Sequence, residues 1–250
     1  MEDILKLILL SIIVIALISS FSSLNLREES TSPPIIVPEE EKTIEENITF
    51  HGVRMGVPAV DEEGNGVTTT ILVESKPGEG RVLVDINQLL FWVDTQNSIR
   101  IAQKVAQNYT MIDLEKIDLI YGIETNASLI GGPSAGAALT VATISLLENK
   151  TINSNVMITG TINHDGSIGT VGEIVAKAKA AKDIGITTFL VPFGQAVQTY
   201  YTPLRHCEKF GWVEYCTTEY KSEKVDVSKD VGIEVKEVSN IEEALKYFLM

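Results

Sequence analysis

The sequence is poor in the residues that build metal sites and disulfide scaffolds. It has two cysteines and three histidines in 250 residues, and the histidines are scattered at positions 51, 164 and 206. Two cysteines are too few for a four-ligand zinc site or a disulfide framework. We therefore predict no metal site, while Cys207 and Cys216 can pair and close a short loop in an oxidising compartment.

Basic residues are also in the minority. The chain has 20 lysines and arginines against 34 aspartates and glutamates, a formal net charge of -14. This balance disfavours nucleic acids and anionic lipids as partners. Gly166, Gly169 and Gly172 have neither the spacing nor the lysine of a Walker-type phosphate loop. We expect no nucleotide and no other cofactor, so any activity is predicted to be independent of ATP.

A single apolar run, at the N-terminus, is long enough to cross a membrane. Residues Ile4 to Leu24 are apolar or serine except for Lys6, and as a helix they span about 31 Å. The acidic start differs from that of a cleavable signal peptide, although cleavage within Ser19–Ser23 stays open. We predict that residues 1–26 form a transmembrane anchor or signal segment, whose orientation the flanking charges do not decide.

The segment that follows is acidic and contains three prolines, which is typical of a solvated tether. We assign residues 27–47 to this linker and residues 48–250 to a folded domain. Sequons for N-glycosylation begin at Asn47, Asn108, Asn126 and Asn149. They mildly favour an extracytoplasmic domain, so we expect a single-pass membrane protein with this domain outside the cytoplasm.

The folded domain alternates predicted strands and helices, so we expect an α/β (α+β) fold. Alternation and turn signals predict strands over 48–60, 67–75, 81–86, 117–124, 156–160, 187–192 and 231–238. Apolar periodicity predicts helices over 94–109, 135–147, 173–184 and 241–249. Residues 193–229 contain aromatic residues and both cysteines with little periodicity, and we interpret them as an insertion.

A glycine-glycine-proline turn delivers Ser134 to the start of a run of small and apolar residues. The run from Ala135 to Leu147 contains no charge and no proline, which predicts a buried helix. Unpaired N–H groups and the helix dipole favour negative charge at its start, as a nucleophile that generates an oxyanion requires. The alternative, that Ser134 only caps the helix, is equally supported by this stretch alone.

Lys177 is the candidate partner of this serine. It borders an apolar stripe, whereas Lys179 and Lys182 point elsewhere. The stripe consists of Ile174, Ala178, Ala181 and Ile184. A half-buried lysine can act as a base if its pKa falls by about 3 units. Periodicity by itself favours the alternative, an ion pair with Glu173 or a lysine that extends its ammonium group to solvent.

Two motifs together resemble those of the Lon-type Ser–Lys proteases. Gly132 to Gly136, with the small-residue helix, resembles the nucleophile motif, and Gly172 to Ala181 resembles the lysine motif at the family spacing. The resemblance covers most of residues 48–192 and the last twenty residues. It continues through 79–82, 158–162, 166–168, 185–186 and 191–192.

The resemblance implies a Lon proteolytic-domain-like fold of small mixed sheets and packed helices. It implies that Ser134 is the nucleophile, Lys177 the general base and Thr159 a hydroxyl that helps to orient the lysine. The backbone N–H groups of Gly132, Ser134 and Ala135 would hold the oxyanion. The implied substrates are peptides or unfolded proteins.

The chain also departs from the family pattern. Many members carry an acid where this chain has Gly131, and histidines where it has Ile120 and Gly122. The sequence has no counterpart of the ATPase domain of full-length relatives, so it looks like the stand-alone, membrane-anchored branch seen especially in archaea. Small domains of this family tend to form rings, which makes a homo-oligomer an expectation from the resemblance alone.

Two rival interpretations stay open. In the first, His164 and Asp165 complete a triad with Ser134, which we disfavour because adjacent residues on a turn rarely hold a base and its orienting acid together. In the second, the domain is a non-catalytic, membrane-anchored scaffold or binding module. We favour an ATP-independent serine endopeptidase with a Ser134–Lys177 dyad.

Overall fold

Strands and helices alternate along the part of the chain that the structure describes. The computed structural model describes residues 51–86, 93–124 and 132–249. The predicted anchor, 1–26, and the predicted linker, 27–47, lie outside these residues. Within the described ranges, no helix is long and apolar enough to cross a membrane.

Two long antiparallel strands form the first hairpin. Strand β1 (His51–Val60) pairs along its length with β2 (Gly66–Pro77). The Asp61 carboxylate closes the turn because it accepts hydrogen bonds from the backbone N–H groups of Glu63, at 3.1 Å, and Asn65, at 2.7 Å. The predicted hairpin is confirmed over the described residues.

Two further strands complete the first sheet. Strand β4 (Ile117–Glu124) pairs antiparallel with β2 and parallel with β3 (Val82–Val84), which gives the order β1-β2-β4-β3. The side chain of Tyr121 is buried beneath this sheet and shares a hydrogen bond of 2.9 Å with Thr143. The sheet therefore packs closely on the helix that carries Thr143.

A buried carboxylate ties β4 to the turn before β3. Asp118 accepts hydrogen bonds from the backbone N–H groups of Glu79, at 2.8 Å, and Arg81, at 2.9 Å, and it pairs with the Arg81 guanidinium at 2.9 Å. A Cβ at Gly78 would lie 2.1 Å from the Asp118 carboxyl carbon, so this close approach requires glycine.

The helix formed by Gly136–Leu147 is buried on all sides and forms the centre of the core. Helix α1 (Val93–Thr110) packs against this second helix, α2, in which every residue except Leu147 is buried. A helix that is apolar all round has to be enclosed by other elements. A 3-10 turn, Pro133–Ala135, leads into α2. The predicted helices are confirmed, with boundaries shifted by one residue.

A second, parallel sheet carries the later half of the domain. Its strands are β5 (Val156–Ile158), β8 (Thr188–Pro192) and β11 (Glu234–Val238), in the order β11-β8-β5. Helix α3 (Ile174–Asp183) contacts both this sheet and the β1–β2 hairpin. A second apolar cluster fills the space beneath α3: Met157, Ile174, Ala178, Ala181, Phe189, Val191, Val227, Val231 and Ile233.

Residues 193–229 form mainly a two-stranded ribbon. Strands β9 (Val197–Phe210) and β10 (Val213–Asp226) have 14 residues each, and helix α4 (Val227–Val231) follows them. Nearly all residues of the ribbon are exposed, its aromatic side chains included. From the sequence we interpret this segment as an insertion and predict no strands in it, whereas the structure has two. Because neither face of the ribbon packs on the core, its sequence has no alternation of apolar and polar residues.

The structure also corrects a strand boundary and a core residue. The strand predicted over 231–238 begins later, because Gly232 adopts a φ of 72 and ends α4. Ile184 was predicted to be part of the buried stripe of α3 but is 55% exposed. Helix α3 ends at Asp183, so the next residue leaves the helical face that packs on the core.

Short elements complete the fold. They are β6 (Thr161–Ile162), β7 (Ile168–Gly169) and α5 (Ile241–Phe248). The Asn240 side chain caps α5 because it accepts a hydrogen bond of 2.9 Å from the Glu243 N–H. The predicted mixture of small sheets and packed helices is confirmed.

Candidate active site

Ser134 lies in the 3-10 turn that leads into α2. Gly132 enters this turn with a φ of 105, which L side chains rarely adopt. The N-cap residue of α2 is Ala135, and no side chain caps it, so the helix-cap alternative for Ser134 is not what the structure has. The Ser134 carbonyl accepts hydrogen bonds from the Gly160 N–H at 2.9 Å and from Thr159 Oγ1 at 3.4 Å. The turn is thereby held against the end of β5.

Lys177 is buried on α3. The residue is 4% exposed, and its Nζ donates a hydrogen bond of 3.0 Å to the Gly172 carbonyl. Burial lowers the pKa of Lys177 to about 8, against the opposing effect of the Glu173 charge. About a tenth of such a lysine is neutral at pH 7. An ion pair between Lys177 and Glu173 is not among those of the described residues.

Ser134 and Lys177 line one small cleft of about 40 Å³. The fold thus brings together the two residues that the sequence motifs single out. Most of the cleft wall is apolar and comes from the first sheet: Val57, Pro58, Ala59, Val60, Ile71 and Ile123. Apolar walls keep water from the lysine, which is why its charged form is disfavoured.

Thr69 is a residue of this cleft that the sequence motifs did not reveal. It is 4% exposed, and its Oγ1 has no hydrogen-bond partner within the described ranges. The alternation of side chains along a strand predicts that the threonines at 68–70 do not all face the same side. The sequence does not tell which of them faces the core.

Thr159 and the predicted oxyanion donors lie around the serine turn. Thr159 is fully buried, and its hydroxyl binds the Ser134 carbonyl, so in this structure it holds the serine backbone. Its predicted role toward the lysine stays a prediction. Gly132 and Ala135 line the cleft, and the carbonyl of Gly132 accepts a hydrogen bond of 3.4 Å from Thr95. Gly131 lies outside the described residues.

His164 and Asp165 line a different and larger groove of about 370 Å³. The Asp165 carboxylate accepts hydrogen bonds from the Ser167 hydroxyl and N–H, which hold its pKa below the ordinary value. The Asp165 carboxylate therefore stabilises the turn in which it lies. The structure does not bring this pair to the Ser134 cleft, so the histidine-based triad is not assembled.

The two cysteines face each other across the ribbon and are joined by a disulfide. Cys207, Glu214 and Cys216 are close enough together to suggest a metal site. Because both sulfurs belong to the disulfide, no thiolate is left to bind an ion.

Comparison with known proteins agrees with this geometry. Residues 92–206 match the family model of the Lon protease (S16) C-terminal proteolytic domain. The Lon protease of Buchnera aphidicola subsp. Acyrthosiphon pisum is 40% identical over 79 residues, which are 32% of this chain and 10% of the relative. The Lon protease of Phenylobacterium zucineum is 32% identical over 120 residues, 46% of this chain and 15% of the relative. That of Syntrophus aciditrophicus is 28% identical over 152 residues, 59% and 19% respectively.

Residues 92–206 are thus similar to the proteolytic domain of the Lon serine peptidases. This similarity agrees with the prediction of a serine-type peptidase domain. The chain spans between 10% and 19% of the length of these relatives. The membrane anchor, the archaeal character, the independence from ATP and the roles of individual residues stay predictions.

Proposed function

We propose that this protein is a membrane-anchored serine endopeptidase that cleaves peptide bonds with a Ser134–Lys177 dyad and without ATP. One observation carries the proposal. A buried lysine, with its pKa lowered to about 8, lines the same cleft as a serine at the entrance of a helix. A lysine that is partly neutral near pH 7 has the property that a general base requires.

In the proposed mechanism, neutral Lys177 takes the hydroxyl proton while Ser134 Oγ attacks the scissile carbonyl carbon. The Gly172 carbonyl accepts one N–H of the lysine, which leaves the nitrogen lone pair for the serine. Backbone N–H groups of Gly132, Ser134 and Ala135 stabilise the oxyanion. Lys177 then donates its proton to the leaving amine, and water hydrolyses the acyl-enzyme. This scheme requires no metal and no nucleotide.

Thr159 supports the serine in this proposal. The Thr159 hydroxyl donates a hydrogen bond to the Ser134 carbonyl, and the family resemblance adds a role in orienting the lysine.

The remaining parts of the proposal concern location, substrates and assembly. Residues 1–26 would anchor the protein in the membrane, with the domain outside the cytoplasm, where disulfides persist. The proposed substrates are peptides or unfolded proteins. A homo-oligomer follows from the resemblance.

Cleavage of a fluorescently labelled unfolded protein by the full-length chain tests the dyad. We expect Ser134→Ala and Lys177→Arg each to reduce the rate by about a thousandfold or more. Ser239→Ala and Lys179→Arg are matched controls outside the cleft and should retain the wild-type rate. Addition of ATP and magnesium should not change it. Unchanged cleavage by Ser134→Ala would exclude the proposed nucleophile.

Two further experiments address the alternative and the location. A fluorophosphonate should label the wild type and not Ser134→Ala. Absence of labelling, together with no cleavage of any peptide in a library, would favour a non-catalytic scaffold.

For location, deletion of residues 1–26 should release the protein from membranes. Digestion of sealed vesicles with an external protease then shows on which side the domain lies.

A further inference from the structure

A buried hydroxyl that has no partner among the described residues lines the proposed active-site cleft. Thr69 lies on β2 directly opposite Val57 of β1, and both residues line the cleft. Thr69 is 4% exposed, and its Oγ1 has no hydrogen-bond partner in the described part of the chain. Burying an unpaired hydroxyl is unfavourable, so buried polar groups nearly always have partners. In a cleft, an unpaired group indicates that the ligand supplies the partner.

The backbone of β2 beside Thr69 is paired with β1. Thr69 lies opposite Val57 of β1, and the pairing of β2 with β4 begins at the next residue, Thr70. From Thr70 onward, the N–H and C=O groups of β2 are therefore used within the sheet on both sides. The Thr69 hydroxyl has no partner among the described residues, and this side chain is the group that β2 offers to a substrate.

We propose that the Thr69 hydroxyl hydrogen-bonds a small, uncharged polar side chain of the substrate, of the size of serine. This inference rests on the proposed peptidase function of the cleft. The volume of about 40 Å³ fits a small side chain, and the apolar walls disfavour a charged one. An acidic side chain would moreover pair with Lys177 and raise its pKa. Because Ser134 lines the same cleft, the bound residue is the one whose carbonyl is attacked.

Peptides that differ only at this residue test the proposal. We expect the full-length wild type to cleave the serine peptide with a kcat/KM about tenfold above that of the alanine peptide. Thr69→Val keeps the shape and removes the hydroxyl, so the ratio of the two kcat/KM values should fall to about one. Thr69→Ser retains a hydroxyl and should retain the preference. Preference for a large apolar residue in the wild type would overturn the proposal.

The melting temperature separates a role in binding from a structural role. Thr69→Val removes a buried group that has no hydrogen-bond partner in the ranges that the structure describes, so the variant should melt at or above the wild-type temperature. A clear fall would mean that the hydroxyl has a structural partner and would contradict the proposal. Thr70→Val is the matched control, because adjacent side chains of a strand point to opposite faces. It should leave the serine preference intact.

Binding measured without hydrolysis distinguishes this inference from the proposed function. In a Ser134→Ala background, calorimetry should show tighter binding of the serine peptide, and the difference should disappear when Thr69→Val is added. Equal affinities in that background, or a preference that survives Thr69→Val, would overturn the role of Thr69 alone. Intact preference without any cleavage by the wild type would contradict the peptidase and leave the binding role standing.

Discussion

Gly66 of β2 and Ala176 of α3 lie in direct contact. A Cβ at Gly66 would lie 2.0 Å from the Ala176 carbonyl oxygen and 3.1 Å from the Ala180 Cβ. The contact holds the helix that carries Lys177 against the hairpin that carries Thr69. The absence of a side chain at this one position therefore sets the distance between two walls of the cleft.

We expect Gly66→Ala to reduce cleavage by about tenfold or more, because α3 has to move by the width of a methyl group. Gly52→Ala is the matched control in the same hairpin. A Cβ there would meet Glu74 Cγ at 3.4 Å, an ordinary contact. The measurement is kcat/KM of both variants against the wild type. Equal activity of Gly66→Ala and the wild type would show that the helix position does not matter.

The pH dependence of cleavage should follow Lys177. Since the neutral form acts as base, kcat/KM should rise with pH and level off above about 8, the pKa of the buried lysine. The charge of Glu173 raises this pKa, so Glu173→Gln should move the midpoint to lower pH. Glu242→Gln, an exposed acid elsewhere, should leave it in place. A midpoint that does not respond to Glu173→Gln would argue against Lys177 as the titrating group.

Lys177 should lower the free energy of unfolding of the protein. Its folded-state pKa is lowered from 10.5 to about 8, so the unfolded chain keeps the proton between these values and stability rises with pH across this window. Below pH 8 the buried charge disfavours folding by about 3 kcal/mol. Lys177→Met should therefore stabilise the protein at pH 7 by about 1–3 kcal/mol while abolishing cleavage. Urea unfolding in a Ser134→Ala background, at pH 7 and at pH 10.5, tests this.

In that experiment the gain should shrink at the higher pH, where the wild-type lysine is neutral in the folded state and half neutral in the unfolded state. A gain of equal size at both pH values would mean that improved packing, rather than the removed charge, is its cause. Lys179→Met, at an exposed position on the same helix, should have little effect.

Asp118 should stabilise the folded protein, whereas Lys177 should destabilise it. Backbone N–H groups of Arg81 and Glu79, and then the Arg81 guanidinium, lower its pKa to about 2. The stabilisation is present above the unfolded-state pKa of about 4 and is lost as the pH falls through 2. Asp118→Asn should lower the melting temperature at pH 7 by about 5 °C or more, and the difference should narrow toward pH 2. Glu115→Gln, an exposed neighbour, should behave as the wild type throughout.

The disulfide should protect the ribbon from proteolysis and have little effect on the stability of the rest of the fold. It joins Cys207 and Cys216, which are 9 residues apart, within an exposed ribbon. Replacement of both cysteines by serine in a Ser134→Ala background should shift the melting temperature by less than about 2 °C, because the closed loop is short. Added trypsin should cut the ribbon faster. Unchanged digestion would show that strand pairing alone holds it.

Most elements of the fold can be predicted from the sequence, and the two exceptions have different physical causes. The strand over 117–124 and the helix of α2 have patterns that burial imposes, and they appear where expected. The ribbon of β9 and β10 was missed because both its faces meet solvent, so no apolar alternation marks it. Ile184 was misplaced because periodicity continues past the point at which the helix ends.

The candidate site, too, can be predicted only in part from the sequence. Local chemistry suffices to single out Ser134 and Lys177, since a glycine-proline turn, a small-residue helix and a lysine beside an apolar stripe are all features of neighbouring residues. Three features of the site depend on residues far apart in the chain. They are the presence of Ser134 and Lys177 in one cleft, the burial that lowers the lysine pKa, and the Thr69 hydroxyl, which lacks a partner within the described part of the chain. Desolvation is a property of everything packed around a group, so only the tertiary structure could decide them.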